Sequence, residues 1–371
     1  MSIGIAAVVL FLIGGWWALS SAKWVSPEQG PITIGFIGPL TGDGAFVGTI
    51  DKAAVELAVN EINNSGGING REWRVIYEDG QCAATPAINA ANKLISVDGA
   101  SAIIGGLCST ETASFAPSAM QHKVIVISYG SSAPNLSQTG KYFFRDYPSD
   151  ANQGRFAAEY IFNTLGARKI AIVYHVGPYG NGIKDIFSKR ILELGGKIVA
   201  EESAPQSATD YRTILTKVKA ADPDYIYTPM YAEGASLFIR QAKDIGVRAR
   251  FLGPETFSDP KFIKDMSGLA NIMYAQLKTS ETEDFKRKIL AKTGGEQLPA
   301  SVANAYDAVH ILKLAIEKAG GTSSTDKIAD ALRATNYDGA SGHIEFDQNG
   351  DMKEASYEVM KIEKGVSMRA D

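Results

Sequence analysis

Ile32-Thr33-Ile34-Gly35-Phe36-Ile37-Gly38-Pro39-Leu40-Thr41-Gly42 decides the fold. The first seven residues are a short, nearly unbroken apolar run that stops at Gly-Pro, the pattern of a strand buried on both faces. Beyond the glycine-rich loop, apolar residues recur at Ala54, Val55, Ala58, Val59 and Ile62. That spacing predicts a helix over 52–63 with one apolar face, stopped by Gly66-Gly67. A buried strand followed by a one-faced helix is half of a βαβ crossover.

The same rhythm repeats in both directions from this unit. Strands are predicted over 73–77, 100–106 and 124–128, separated by helices over 85–97 and 109–121. A second series begins after Asp150: helices over 152–165, 182–194, 211–219 and 233–245 alternate with strands over 169–174, 198–201, 225–229 and 251–253. Helices over 283–292, 300–319 and 325–334 and short β-runs over 343–347 and 357–362 complete the chain. Strands separated by helices of this length require parallel sheets, so the fold class is α/β with two doubly wound parallel-sheet lobes. Ligands of such folds sit at the carboxyl ends of strands, here in the cleft between lobes.

With 371 residues the chain can build two cores. Its net charge of −4, with Lys and Arg spread among Asp and Glu, argues against nucleic acid, which demands clustered cations. Residues 3–19 are almost wholly apolar and Ser20-Ser21-Ala22 offers small residues for cleavage, so 1–22 reads as a signal peptide or an uncleaved N-terminal anchor. Either leads to export. Residues 23–31 read as a linker, and the lack of a cysteine near Ala22 gives no support to a lipid-modified terminus. The only cysteines, Cys82 and Cys108, read as a disulfide in an exported chain, with two buried thiols as the alternative. A metal site is disfavoured because there is no CxxC and the four histidines are scattered.

Several strand-end loops carry chemistry. Gly42, Gly44 and Gly48 resemble a loosened dinucleotide fingerprint, but the acidic pair Glu78-Asp79 comes too late for a ribose contact. A loop whose glycines take positive φ is the simpler reading. Leu107-Cys108-Ser109-Thr110-Glu111 ends a strand and starts a helix. Ser109 is a natural N-cap there, and the free amides attract an anion. No histidine stands in a recognisable relation to Ser109 that would make it a nucleophile, so an enzyme is not expected. Tyr129-Gly130-Ser131-Ser132, Tyr179-Gly180, Met230-Tyr231 and Pro254-Glu255 stand at further strand ends.

Taken in order, the chain from Pro31 onward resembles the periplasmic Leu/Ile/Val-binding proteins, the type I solute-binding proteins of ABC importers. The resemblance rests on 37–42 (Ile-Gly-Pro-Leu-Thr-Gly), Glu61-Ile62-Asn63 with Gly66-Gly67-Ile68-Asn69-Gly70, the Cys82/Cys108 pair, Tyr179-Gly180, Ile239-Arg240-Gln241-Ala242 and Gly253-Pro254-Glu255. It implies a three-crossing hinge near residues 147–150, 278–279 and 353–355. Lobe 1 would then be 32–149 plus 279–354, and lobe 2 would be 150–278 plus 355–371.

The resemblance also implies roles. Ser109 would bind a ligand carboxylate, Ser132 would bridge carboxylate and ammonium with Gly130 offering its backbone carbonyl, Ser131 would be a further ligand-binding residue, and Glu255 would pair with the ammonium. Tyr179 and Tyr231 would seal the site from lobe 2, with Val47 and Leu107 as pocket wall. Val47 stands where branched-chain binders carry tyrosine, Gly130-Ser131 replaces Ala-Ala, and Ala303 stands where an aromatic lines the pocket; the preferred side chain stays open. The implied function is capture of a small amino acid by a monomer, without cofactor, for delivery to the membrane permease of an ABC transporter. A membrane-tethered sensory module and a binder of amide or urea-type solutes are the alternatives.

Overall fold

The computed structural model describes residues 30–42, 44–278, 281–295, 298–353 and 355–370. The leader reading (1–22) and most of the linker (23–31) lie outside the described residues. The first sheet takes β1 (Ile32–Gly38), β2 (Trp73–Asp79), β3 (Ala102–Gly105), β4 (Ile125–Ser128) and β5 (Phe143–Arg145) in the order β2-β1-β3-β4-β5, all parallel. Its helices are α1 (Ala45–Asn64), α2 (Ala84–Ser96) and α3 (Ser109–Gln121).

The chain then enters α4 (Asp150–Glu159), extended by a π-helical turn at Tyr160–Thr164. The second sheet follows: β6 (Lys169–His175), α5 (Pro178–Glu193), β7 (Lys197–Ala204), α6 (Arg212–Ala221), β8 (Tyr225–Tyr227), α7 (Ala232–Asp244), β9 (Arg250–Gly253), α8 (Pro260–Asp265) and β10 (Ile272–Leu277). Its five parallel strands run β7-β6-β8-β9-β10, the arrangement of the first sheet repeated. After α9 (Glu283–Thr293), α10 (Val302–Ala319) and α11 (Thr325–Arg333), a small β11 (Asn336–Asp338) and β12 (His343–Glu345) ribbon precedes β13 (Tyr357–Glu363) and β14 (Val366–Arg369). This last pair joins the second sheet as an antiparallel edge on β10.

Each sheet is covered on both faces, which is why its strands are apolar without alternation. In the first, α1, α10 and α11 pack on one side around Phe36, Ile104, Ile311 and Leu332. On the other side α2 and α3 close over Ile103, Leu94 and Phe115. In the second, α6 to α8 cover Phe251 and Phe238, and α4 with α5 cover Ile172 and Phe187.

Three expectations on elements change. The first helix starts at Ala45, seven residues before 52, because its first two turns carry pocket-facing residues and lack the apolar stripe. Gly48 therefore lies inside α1, where a Cβ would stand 2.1 Å from the Pro39 carbonyl oxygen. Its role is close strand–helix packing and not a phosphate loop. Ser109 is the first helical residue of α3, with Cys108 at the N-cap and Glu111 accepting from the Cys108 amide at 3.0 Å. Strands β5, β10, β11 and β14 went unread: β5 and β11 have three residues each, and β14 is an exposed edge.

Where the chain passes between sheets, the passing segments are tied together. The Arg145 side chain is fully buried and its Nε donates to Asp351 Oδ1 at 2.6 Å, while the Lys278 amide donates to Ser356 O at 2.8 Å. Among the described residues no helix is long and apolar enough to cross a membrane.

Candidate functional site

The carboxyl ends of the two parallel sheets face one another, and a pocket lies between them. It encloses about 770 Å³ of space not filled by protein atoms, open solvent at its mouth included. From the first sheet it takes Val47, Leu107, Cys108, Ser109, Gly130 and Ser132. From the second it takes Tyr179, Tyr231, Glu233, Glu255 and Asp259, and Pro299 to Ser301 complete it. The lobes meet beside it: a Cβ on Gly182 of α5 would stand 2.5 Å from Pro134.

On the first-sheet side, Ser109 is 1% exposed at the amino end of α3, and its Oγ accepts from the Ala133 amide at 3.1 Å. The Ser109 amide faces the Tyr231 hydroxyl across the cleft. Free first-turn amides and the helix dipole make this end a seat for an anion. Ser132 Oγ donates to Asp150 Oδ2 at 2.8 Å. Gly130 packs closely on Leu107: a Cβ there would stand 2.6 Å from Leu107 Cδ1 and 3.1 Å from its carbonyl oxygen, so a methyl would displace the Leu107 side chain.

On the opposite side, Glu255 opens a 3-10 turn after β9 and is 8% exposed. Gln153 Nε2 donates to its Oε2 at 2.5 Å, and the Tyr179 hydroxyl donates to Oε1 at 3.3 Å. The Tyr179 and Tyr231 rings stack at 5.1 Å. Burial raises Glu255 above the ordinary carboxylate range, with the Gln153 bond opposing it. Asp150 is raised further, first by burial and then by the negative charge of Glu255. Two buried carboxyls that repel one another favour keeping one of the pair protonated unless a cation stands beside them.

A pH prediction follows from that sign. A cation placed beside Glu255 would displace the proton that burial and repulsion hold on the pair, so affinity for such a ligand rises with pH above the ordinary carboxylate range. Calorimetric titration in two buffers of different ionisation enthalpy should record proton release on binding. A pH-independent affinity with no proton release would contradict it.

The structure brings together Ser109, Gly130, Ser132, Tyr179, Tyr231, Glu255, Val47 and Leu107 around one pocket. Ser131 is the exception. Its Oγ is buried, 2.7 Å from Thr112 Oγ1 and 3.0 Å from Gly106 O, and it bonds strand ends together behind the pocket. Ala303 also turns away, into the core of the first lobe, and Pro299, Ala300 and Ser301 form the wall instead. Cys82 and Cys108 form a disulfide with Cα atoms 5.3 Å apart. Sequence reasoning missed Asp150, Gln153, Tyr147, Glu233 and Ser301. The one available signal was Ser149-Asp150 as a cap, with Gln153 three residues on and so on the same helical face.

Gly180 shows how tightly Tyr179 is set. A Cβ on it would lie 1.9 Å from the His175 carbonyl oxygen, so Gly180→Ala is expected to cost about 1–3 kcal/mol and shift Tyr179. Urea unfolding checks this; an unchanged midpoint would contradict it.

Two doubly wound lobes that close a buried pocket of hydroxyls, amides and carboxylates define a two-lobed solute-binding protein. Residues 31–366 match the family described as Periplasmic binding protein, and the chain belongs to that family. It is 30% identical over 338 residues, 90% of each chain, to a leucine-, isoleucine-, valine-, threonine-, and alanine-binding protein of Pseudomonas aeruginosa. Among solved structures it resembles the branched-chain amino acid transporter substrate binding protein LivJ of Streptococcus pneumoniae in complex with isoleucine. That match has 27% identity and TM-score 0.83, and covers 92% of this chain and 99% of that one. The leucine binding protein LivK of Thermotoga maritima matches with the same identity and TM-score, over 92% of this chain and 98% of that one.

Proposed function

We propose that this protein captures a free amino acid between its lobes outside the cytoplasm and delivers it to the membrane permease of an ABC importer. One observation carries the reading. The amino end of α3 with Ser109 and the Glu255 carboxylate line the same buried pocket from opposite sheets. A zwitterion taken out of water needs both poles met, since an unpaired buried charge costs several kcal/mol. Helix amides and hydroxyls suit the carboxylate; Glu255, backed by Asp150, suits the ammonium. The relatives named for leucine, isoleucine and valine support an amino acid as the solute.

Residues 32–149 with 279–354 act as one lobe and 150–278 with 355–371 as the other. They close by rotation about the crossings near 147–150, 278–279 and 353–355. Closure buries the ligand and forms the surface a permease reads, so capture and delivery share one equilibrium. The protein acts as a monomer without covalent chemistry, held near the membrane if its leader is retained. Isothermal titration with leucine, isoleucine, valine, alanine and threonine tests the reading. At least one should bind with micromolar or tighter Kd; binding of none would overturn it.

A further inference from the structure

Gly182 and Pro134 bring the two lobes into contact without lining the pocket. A Cβ on Gly182 would stand 2.5 Å from Pro134 Cδ, a ring atom bonded to the backbone nitrogen and so unable to swing aside. Gly182 lies in α5 three residues after Tyr179, and Pro134 opens the 3-10 turn Pro134–Gln138 two residues after Ser132. The contact is therefore next in the chain to a pocket residue on either side of the cleft. At the N-cap of α5 the lobes are less tight: a Cβ on Gly177 would lie 3.7 Å from Thr110 Oγ1, an ordinary contact.

Both partners are anchored in their own lobes. Ala133, just ahead of the proline, donates its amide to Ser109 Oγ at 3.1 Å, and its carbonyl accepts from the buried Arg145 Nη1 at 2.8 Å. On the other side, α5 buries Ile183, Phe187 and Ile191, and it rests on α4 at Gly154, where a Cβ would be 3.1 Å from the Ile183 carbonyl oxygen. A methyl at position 182 would thus be relieved by moving the lobes apart, by about 1 Å to restore ordinary contact.

We propose that Gly182 is a positioning residue for ligand capture: its missing side chain lets the lobes complete their approach over Pro134, and that approach sets affinity. This rests on the reading above that the lobes close on an amino acid. Ser109 and the α3 amides belong to one lobe and Glu255 to the other. Lobes held apart cannot bring both charge-assisted hydrogen bonds, about 2.7–2.9 Å long, to one small ligand.

Calorimetric titration with leucine, isoleucine, valine, alanine and threonine, together with melting of the ligand-free proteins, tests the inference. Gly182→Ala should weaken the amino acid that binds wild type by about tenfold or more, the worth of one hydrogen bond to a charged group. Its ligand-free melting temperature should hold or rise, because alanine suits a helix interior better than glycine. Adding Pro134→Ala, which removes the opposing Cδ, should restore most of the affinity. Unchanged affinity in Gly182→Ala overturns the closure contact alone. So does a loss that Pro134→Ala does not rescue, or one accompanied by a lower ligand-free melting temperature. Binding of none of the five by wild type overturns the amino-acid reading and this inference with it.

Discussion

Glu255→Ala removes most of the rise in melting temperature that an amino acid ligand confers. Wild type saturated at 100 times Kd should gain about 2.7 kcal/mol of apparent stability by mass action. In the variant the ammonium loses Glu255, and Asp150 behind it does not line the pocket and is already held by Ser132. Removing one partner of a buried charge pair costs about 2–5 kcal/mol, an affinity loss of about 30-fold or more by the tenfold-per-1.4 kcal/mol rule. Nothing else in the pocket replaces it: the lining acids Glu233 and Asp259 are engaged with the Gly44 and Phe262 amides. Thermal melting with and without the amino acid that binds wild type reads the outcome. An undiminished shift in the variant would remove Glu255 from the site.

The second large effect is on stability. Replacing Cys82 and Cys108 together by serine opens a loop of 26 residues' separation, which costs about 3 kcal/mol in the chain-entropy account. A melting temperature lower by roughly 5–10 °C is expected for a lobe of this size. Affinity should fall much less. The carboxylate of Glu111, buried at the start of α3, accepts from the Cys82 amide at 3.1 Å and the Cys108 amide at 3.0 Å. It therefore holds both backbones in place beside Ser109 without the sulfur bridge. Equal melting temperatures for the two proteins would show that the bridge adds nothing.

Much of this architecture was legible before any coordinates. The buried runs at Ile32–Gly38 and Lys169–His175 start two sheets of identical strand order, and the helix at Ser109–Gln121 has the bounds its periodicity predicts, with its cap one residue earlier, at Cys108. What escaped was set by tertiary contact. Three-residue β5 has no periodicity to read, and its pairing comes from β4 on one side and the Asp351 bridge on the other. At the start of α1, Val47 and the N-cap Gly44 face the cavity and Asp51 is a buried acid, so no apolar stripe signals the helix there.

The site divides in the same way. Strand-end position was enough to pick out Ser109, Ser132, Tyr179, Tyr231 and Glu255 as residues that line the pocket. It could not separate Ser132 from Ser131, because which of two adjacent serines faces the cavity depends on the turn that ties Ser131 to Thr112 and Gly106. Nor could it find Asp150, which is brought to Glu255 through Gln153 by the passage from one lobe to the other.

The most direct test pairs a ligand change with a residue change. Leucine and 4-methylpentanoate, which is leucine without its ammonium, are titrated into wild type and Glu255→Gln. Wild type should bind the deamino acid at least 30-fold more weakly, and the variant should bind the two ligands nearly alike. If Glu255→Gln instead weakens both ligands equally, the carboxylate does not meet the ammonium, and a pocket matched to the two poles of an amino acid is contradicted.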